Sequence, residues 1–224
     1  MTFLGGYRVL RLDGRGQGES PKPEGIYEPV VQLADLLSLL DELDWPPSHV
    51  VGISNGGCLA LSLGERAPER VLSLAAAGCY HRVDALLRLK LASWLRAHEV
   101  GGPQHRFDVA APWIWSEQAL QRHGQMTAAY RTRAESHPNR AVRGLILGAC
   151  RFRIGLDRIK APTLLLTGNR DLLTPPFLMK AMAARLPRGR FIAVPGAHAS
   201  LLEQPSYFAD YLIPFHRKAV LHVD

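Results

Sequence analysis

The chain has 224 residues, 47% of them hydrophobic, enough for one sizeable core with at most a small appended part. No uninterrupted apolar run of roughly 18 residues occurs, which argues against a membrane-spanning helix, and residues 1–6 lack the basic and apolar regions of a signal peptide. The net charge of +7 is carried by residues 79–153, with 12 Lys/Arg against 5 Asp/Glu, interspersed and without a nucleic-acid-binding motif, so a nucleic-acid partner is not expected.

Residues 7–12 alternate polar and apolar side chains and meet a turn at Asp13-Gly14, the pattern of a strand. Gly14, Gly16, Gly18 and the Pro21/Pro23 pair follow as a loop. Val30, Leu33, Leu37, Leu40 and Leu43 predict a helix over 28–45 with one apolar face, stopped by Pro46-Pro47. Residues 49–53 are a short apolar run, and a helix is expected over 56–66. Further apolar runs lie at 71–75, 163–167 and 191–194, with a helix over 176–186 between the last two. Five strands alternating with helices imply an α/β chain: a mostly parallel sheet covered by helices on both faces. Residues 79–153 break the rhythm. They read as amphipathic helical pieces, at 83–98 and 116–133, separated by Gly101-Gly102-Pro103, Pro112 and Pro138. The expected organisation is a core over 1–78, a helical lid over 79–153 and a resumed core over 154–224.

Chemistry concentrates at the ends of the predicted strands. Gly52-Ile53-Ser54-Asn55-Gly56-Gly57 is a GxSxG sequence between a strand and a helix, which lifts a serine hydroxyl above the sheet edge and aims the Asn55 N–H at an oxyanion. Taken alone, it is also an ordinary glycine-rich turn. A serine needs a base, and the base an orienting group. His198, in Val194-Pro195-Gly196-Ala197-His198, follows the last strand at the same edge as Ser54. His49 begins a strand at the opposite edge, His216 and His222 lie in the tail, and five more histidines lie in the lid. Asp171 follows the strand over 163–167; alone it reads equally as a turn or capping aspartate before Pro175-Pro176. As a set, Ser54, Asp171 and His198 each follow a separate strand.

Four segments, in order and in register, carry a resemblance. Asp13-Gly-Arg15-Gly16-Gln-Gly18-Glu-Ser20 looks like the D-x-R-G-x-G-x-S loop of the α/β-hydrolase family, and Val50-Val-Gly-Ile-Ser54-Asn-Gly-Gly57 resembles its nucleophile elbow. Pro162-Thr-Leu-Leu-Leu-Thr-Gly168-Asn-Arg-Asp171 is similar to its acid strand, and Gly196-Ala-His198-Ala-Ser-Leu-Leu-Glu203-Gln-Pro205 to its histidine loop. The resemblance implies a serine hydrolase with Ser54 as nucleophile, His198 as base, Asp171 as its orienting acid and Asn55 as oxyanion donor. Its small-molecule members, esterases, enol-lactonases and perhydrolases, are the nearest likenesses. Family members place three strands and an HG-containing loop before the segment that opens here at Tyr7, so an N-terminally truncated version of the fold is expected, short of a second oxyanion donor.

The resulting expectation is hydrolysis of a small carboxylic ester or lactone through an acyl-enzyme, with neither metal nor organic cofactor. Acyl transfer or perhydrolysis on the same triad, and a non-catalytic hydrolase-like protein, are the alternatives. Arg82, Arg88, Arg131, Arg133, Arg140 and Arg143, with Trp94, Trp113 and Trp115, suggest a lid that favours an apolar substrate bearing an anionic group; a solvated basic surface is the competing expectation. Three widely spaced cysteines, Cys58, Cys79 and Cys150, fit reduced thiols in a cytoplasmic protein, monomeric or homo-oligomeric.

Overall fold

The computed structural model describes residues 7–122, 124–136 and 138–220. Residues 1–6, the lid histidines His123 and His137, and His222 of the tail lie outside the described residues. The short apolar runs form a parallel sheet in the order β1-β2-β3-β4, with β1 Ser48–Ile53, β2 Val71–Ala77, β3 Thr163–Gly168 and β4 Gly189–Val194. Because strand side chains alternate between faces, neighbouring residues enter different cores. Leu74, Ala76 and Leu165 pack under α1 (Pro29–Glu42), α2 (Asn55–Arg66) and α7 (Pro176–Arg185). Ala75, Ala77, Leu164 and Leu166 meet Leu201 of α8 (Ser200–Glu203), Leu212, and Phe215 of α9 (Ile213–Val220). With both faces covered, β3 is buried along its whole length.

The expected strand over 7–12 does not form. A strand persists only where another completes its hydrogen-bond ladder, and none of the described residues pairs with this segment. Its side chains find other partners: the Tyr7 ring meets His49 edge-on at 6.3 Å, and the Arg8 guanidinium lies 4.2 Å over the Trp45 ring. Among the described residues the sheet therefore has four strands, and β1, which leads into Ser54, is an edge strand. Helix α1 stops before Pro46-Pro47, for a different reason than the prolines. Asp44 turns left-handed, at φ 43°, and the Trp45 N–H bonds back to the Leu40 carbonyl at 2.8 Å, closing the helix end.

The insertion between β2 and β3 contains α3 (Ala85–Ile114), α4 (Glu117–Arg122), α5 (Gly124–Arg133) and α6 (Asn139–Ala149). Gly101-Gly102-Pro103 interrupts α3 as expected: Gly102, at φ 74°, ψ −168°, is non-helical and divides it into two helical halves. In a straight helix Trp94 and Trp113 would lie about 28 Å apart. Here their rings stack with centroids 5.8 Å apart, so the two halves double back on each other. Among the described residues no helix is long and apolar enough to cross a membrane.

At the end of the sheet opposite Ser54, the buried Ser73 hydroxyl bridges His49 Nδ1 at 2.8 Å and His216 Nδ1 at 2.7 Å. Burial, then the charge of His49, pushes the His216 pKa down to about 4. An unfolded histidine titrates near 6.5, so between these values the unfolded chain holds a proton that folded His216 refuses, and stability falls as pH falls. One such group contributes up to about 1.4 kcal/mol per pH unit. Urea unfolding at pH 7 and pH 5 is expected to show this loss, and His216→Gln a smaller one. Equal losses in both proteins would assign the acid sensitivity to other groups.

Candidate active site

The turn from β1 into α2 is built by small residues. A side chain at Gly52 would place its Cβ 2.1 Å from the Gly56 carbonyl oxygen, so only glycine lets the start of α2 close over the strand. Ser54 pays for that closure with a strained backbone, φ 54° and ψ −119°, and is one of two non-glycine residues with positive φ among those described. Its hydroxyl stands at the carboxyl edge of the sheet. Asn55 is the first residue of α2, so its N–H has no acceptor within the helix and is available to an anion. The Asn55 side chain is tethered to α1, its amide donating to Gln32 Oε1 at 3.2 Å.

Because all four strands run parallel, the loops after β1, β3 and β4 meet at this edge. Ser54 Oγ lies 3.1 Å from His198 Nε2, and His198 Nδ1 lies 2.9 Å from Asp171 Oδ2. Asp171 and His198 are both buried. Asp171 Oδ1 accepts the Leu173 and Thr174 N–H groups, and Oδ2 accepts the Thr167 and Thr174 hydroxyls, each at 2.8 Å. Burial alone raises a carboxyl pKa. The hydrogen bond and charge of His198, with the Thr174 donors, outweigh it and hold Asp171 below its ordinary value. A carboxylate at Nδ1 favours the tautomer with the proton on that nitrogen, which would leave the Nε2 lone pair facing the Ser54 hydroxyl. Ser54, Asp171 and His198, far apart in sequence, thus occupy one locus, with the Asn55 N–H beside Ser54. Among the described residues no group of three or more His, Cys, Asp or Glu is arranged to hold a metal.

A sequence profile of the family described as alpha/beta hydrolase fold matches residues 2–205. The chain belongs to that family. It is 29% identical to 3-oxoadipate enol-lactonase 1 of Acinetobacter baylyi over 90% of this chain and 76% of that protein. Among solved structures it is similar to a thermophilic esterase from Thermogutta terrifontis, with TM-score 0.83 and 25% identity over 92% of this chain and 78% of the other. A hydrolase from Pseudomonas aeruginosa PA01 superposes with TM-score 0.85, at 25% identity, over 93% and 79% of the two chains. These relatives are enzymes, and this chain is an α/β-hydrolase enzyme.

The helical insertion of this hydrolase sits on both the acid and the histidine loops. Leu173, two residues after Asp171, packs with Leu87, Leu91, Val142 and Ile146, and the stacked Trp94 and Trp113 border that cluster. Ala199, next to His198, packs with Trp115 and Ala119. The lid arginines lie mostly outside. Arg131 forms a two-pronged pair with Asp108, at 2.8 and 3.0 Å, Arg143 faces Glu99 at 3.8 Å, and Arg140 donates to the Lys22 carbonyl at 2.9 Å.

Several supporting residues carry only a faint signature in the sequence. Thr167 and Thr174 take their meaning only from the carboxylate between them. Gly78, after β2, has φ 54°, and a Cβ there would stand 2.9 Å from His198 Cε1, so the glycine makes room for the imidazole. Glu203 clamps the lid: it accepts the Ser116 N–H on Oε1 and the Ser116 hydroxyl on Oε2, both at 2.8 Å, at the entrance to α4. The Ala199 N–H adds a bond to the Ile114 carbonyl at 2.8 Å. The only marks of these supporting residues in the sequence are the threonines flanking the acid and a glutamate five residues after the histidine. Glu203→Ala is expected to lower stability by about 1.5–3 kcal/mol, the scale of bonds to a charged acceptor, and Glu203→Gln by less. Chemical unfolding of the three proteins checks this order; equal stability of parent and Glu203→Ala would show the clamp to be idle.

Proposed function

We propose that this hydrolase cleaves a small carboxylic ester or lactone through an acyl-enzyme on Ser54. One observation carries the proposal: the continuous chain from Ser54 Oγ through both nitrogens of His198 to Asp171, at 3.1 and 2.9 Å. Ser54 Oγ attacks the substrate carbonyl carbon while His198 Nε2 takes the hydroxyl proton. The oxygen of the tetrahedral intermediate becomes negative and meets the Asn55 N–H at the positive end of α2. Imidazolium then returns its proton to the departing alkoxide, which leaves as the alcohol, or as the opened hydroxyl or enol end of a lactone. A water molecule, deprotonated by His198, attacks the acyl-serine and releases the acid. Asp171 stays ionised throughout and stabilises the imidazolium. The tryptophan-bordered lid favours an apolar substrate body. The names of the enol-lactonase and esterase relatives support the same reaction class.

A fluorophosphonate probe, which phosphonylates only an activated serine, tests the proposal. Parent protein is expected to label at Ser54, with labelling lost in His198→Ala. A folded parent that stays unlabelled, or one labelled elsewhere, would overturn it.

A further inference from the structure

The two stems of the helical insertion meet where the sequence has placed like charges. Arg82, entering it, and Arg153, leaving it, form an isolated antiparallel bridge, reinforced by the Ile154 N–H donating to the His81 carbonyl at 2.9 Å. Residues opposed in such a bridge project from one face with Cβ atoms about 5 Å apart, and like charges there repel. Arg88 and Arg151 line the same groove, whose volume is about 450 Å³, within the range of small-molecule sites.

Little offsets this charge. Arg151 is paired with Glu28, and the one acid lining the groove, Asp84, spends Oδ1 on the Leu87 N–H as the cap of α3. Arg82, Arg88 and Arg153 have no ion-pair partner among the described residues. Beside them His81 accepts from Arg185 Nη1 at 3.0 Å. Burial, then Arg185, Arg82 and Arg153, holds His81 neutral, with its pKa lowered to about 4. The bridge is held by backbone bonds such as that from the Ile154 N–H to the His81 carbonyl, and the two exposed arginine side chains opposed across it repel. An anion between them converts the repulsion into two attractive contacts, and the planar guanidinium matches carboxylate and phosphate oxygens in pairs.

We propose that this groove binds a compact dissolved polyanion, bearing two or more carboxylate or phosphate groups, between Arg82, Arg88 and Arg153, tying the two stems of the lid together. The lining of this groove includes none of Ser54, Asp171 and His198, and the proposal does not depend on the hydrolytic chemistry proposed above.

Calorimetric titration of the full chain with pyrophosphate and with citrate, each against sodium chloride at matched ionic strength, tests it. Saturable binding of either probe is expected, and which one binds more tightly separates a phosphate from a carboxylate ligand. Arg82→Gln/Arg153→Gln is expected to weaken binding at least about ten-fold, consistent with loss of a charge-assisted pair. The same variant, free of anion, is expected to melt no lower than the parent, because a repulsion is removed. Arg140→Gln, outside the groove, should bind as the parent does, and so should Ser54→Ala. No binding of either probe, the same response to chloride, or unchanged affinity in the double variant overturns the proposal. A double variant that melts markedly lower also overturns it, since the bridge would then be structural.

Discussion

Replacing Ser54 with alanine is expected to reduce turnover of a short chromogenic ester by a factor on the order of 10⁴–10⁶, with the fold intact. The hydroxyl oxygen is the only heavy atom removed, and its one hydrogen bond in the site runs to His198 at 3.1 Å. The strained backbone, at φ 54°, is shared by serine and alanine, so the stability difference between them should be small. Ser54→Gly separates strain from chemistry. Glycine adopts positive φ without steric cost, so this variant should be as inactive as Ser54→Ala yet more stable, by up to about 1–3 kcal/mol. Steady-state kinetics and denaturant unfolding on the three proteins check both halves. Either variant keeping more than a few per cent of parent activity removes Ser54 from the mechanism.

Asp171→Asn should come next in effect, lowering kcat by about 10⁴ while KM changes little. The carboxylate accepts five hydrogen bonds, two from backbone N–H groups, two from threonine hydroxyls and one from His198. An asparagine offers one oxygen. If that oxygen stays with the Leu173 and Thr174 N–H groups, its NH₂ faces His198 Nδ1 and stabilises the wrong tautomer, with the proton on Nε2, where it cannot accept the serine proton. If the amide flips, two buried backbone donors lose their acceptor, at about 1–3 kcal/mol each. Acid unfolding distinguishes the carboxylate further. Its folded pKa lies below the unfolded value near 3.9, so its contribution to stability is complete above that value and is lost as pH falls through the lower folded one. The asparagine variant should therefore lose less stability than the parent below about pH 4. Parent-like kcat in Asp171→Asn would sink the proposed role of the acid.

The site was legible in the sequence to the extent that its signals are local. Gly52, Ser54 and Gly56 fall within one strand–turn–helix, and the apolar runs before Ser54, Asp171 and His198 are short and bounded by turn residues. Parallel strands put every such loop at one edge, so three local motifs suffice to predict one locus. What the sequence could not decide depended on partners distant along the chain. Residues 7–12 carry a strand's alternation, but a strand needs a second ladder, and in the tertiary structure they pack against His49 and Trp45 instead. Glycine and proline at 101–103 mark the interruption of α3, but not that its two halves fold back so that Trp94 stacks on Trp113. Thr167 and Thr174 become donors only once Asp171 is buried between them, and Glu203 becomes a clamp only when α4 is laid against the histidine loop. The basic surplus of the insertion was plain in its composition, but its sorting was not: Arg131 found Asp108, while Arg82 and Arg153, seventy-one positions apart, were brought face to face. Local backbone preference and periodicity act over a few residues and can be read in order. Burial, ladder pairing and charge pairing depend on which segments meet, and only the folded chain specifies that.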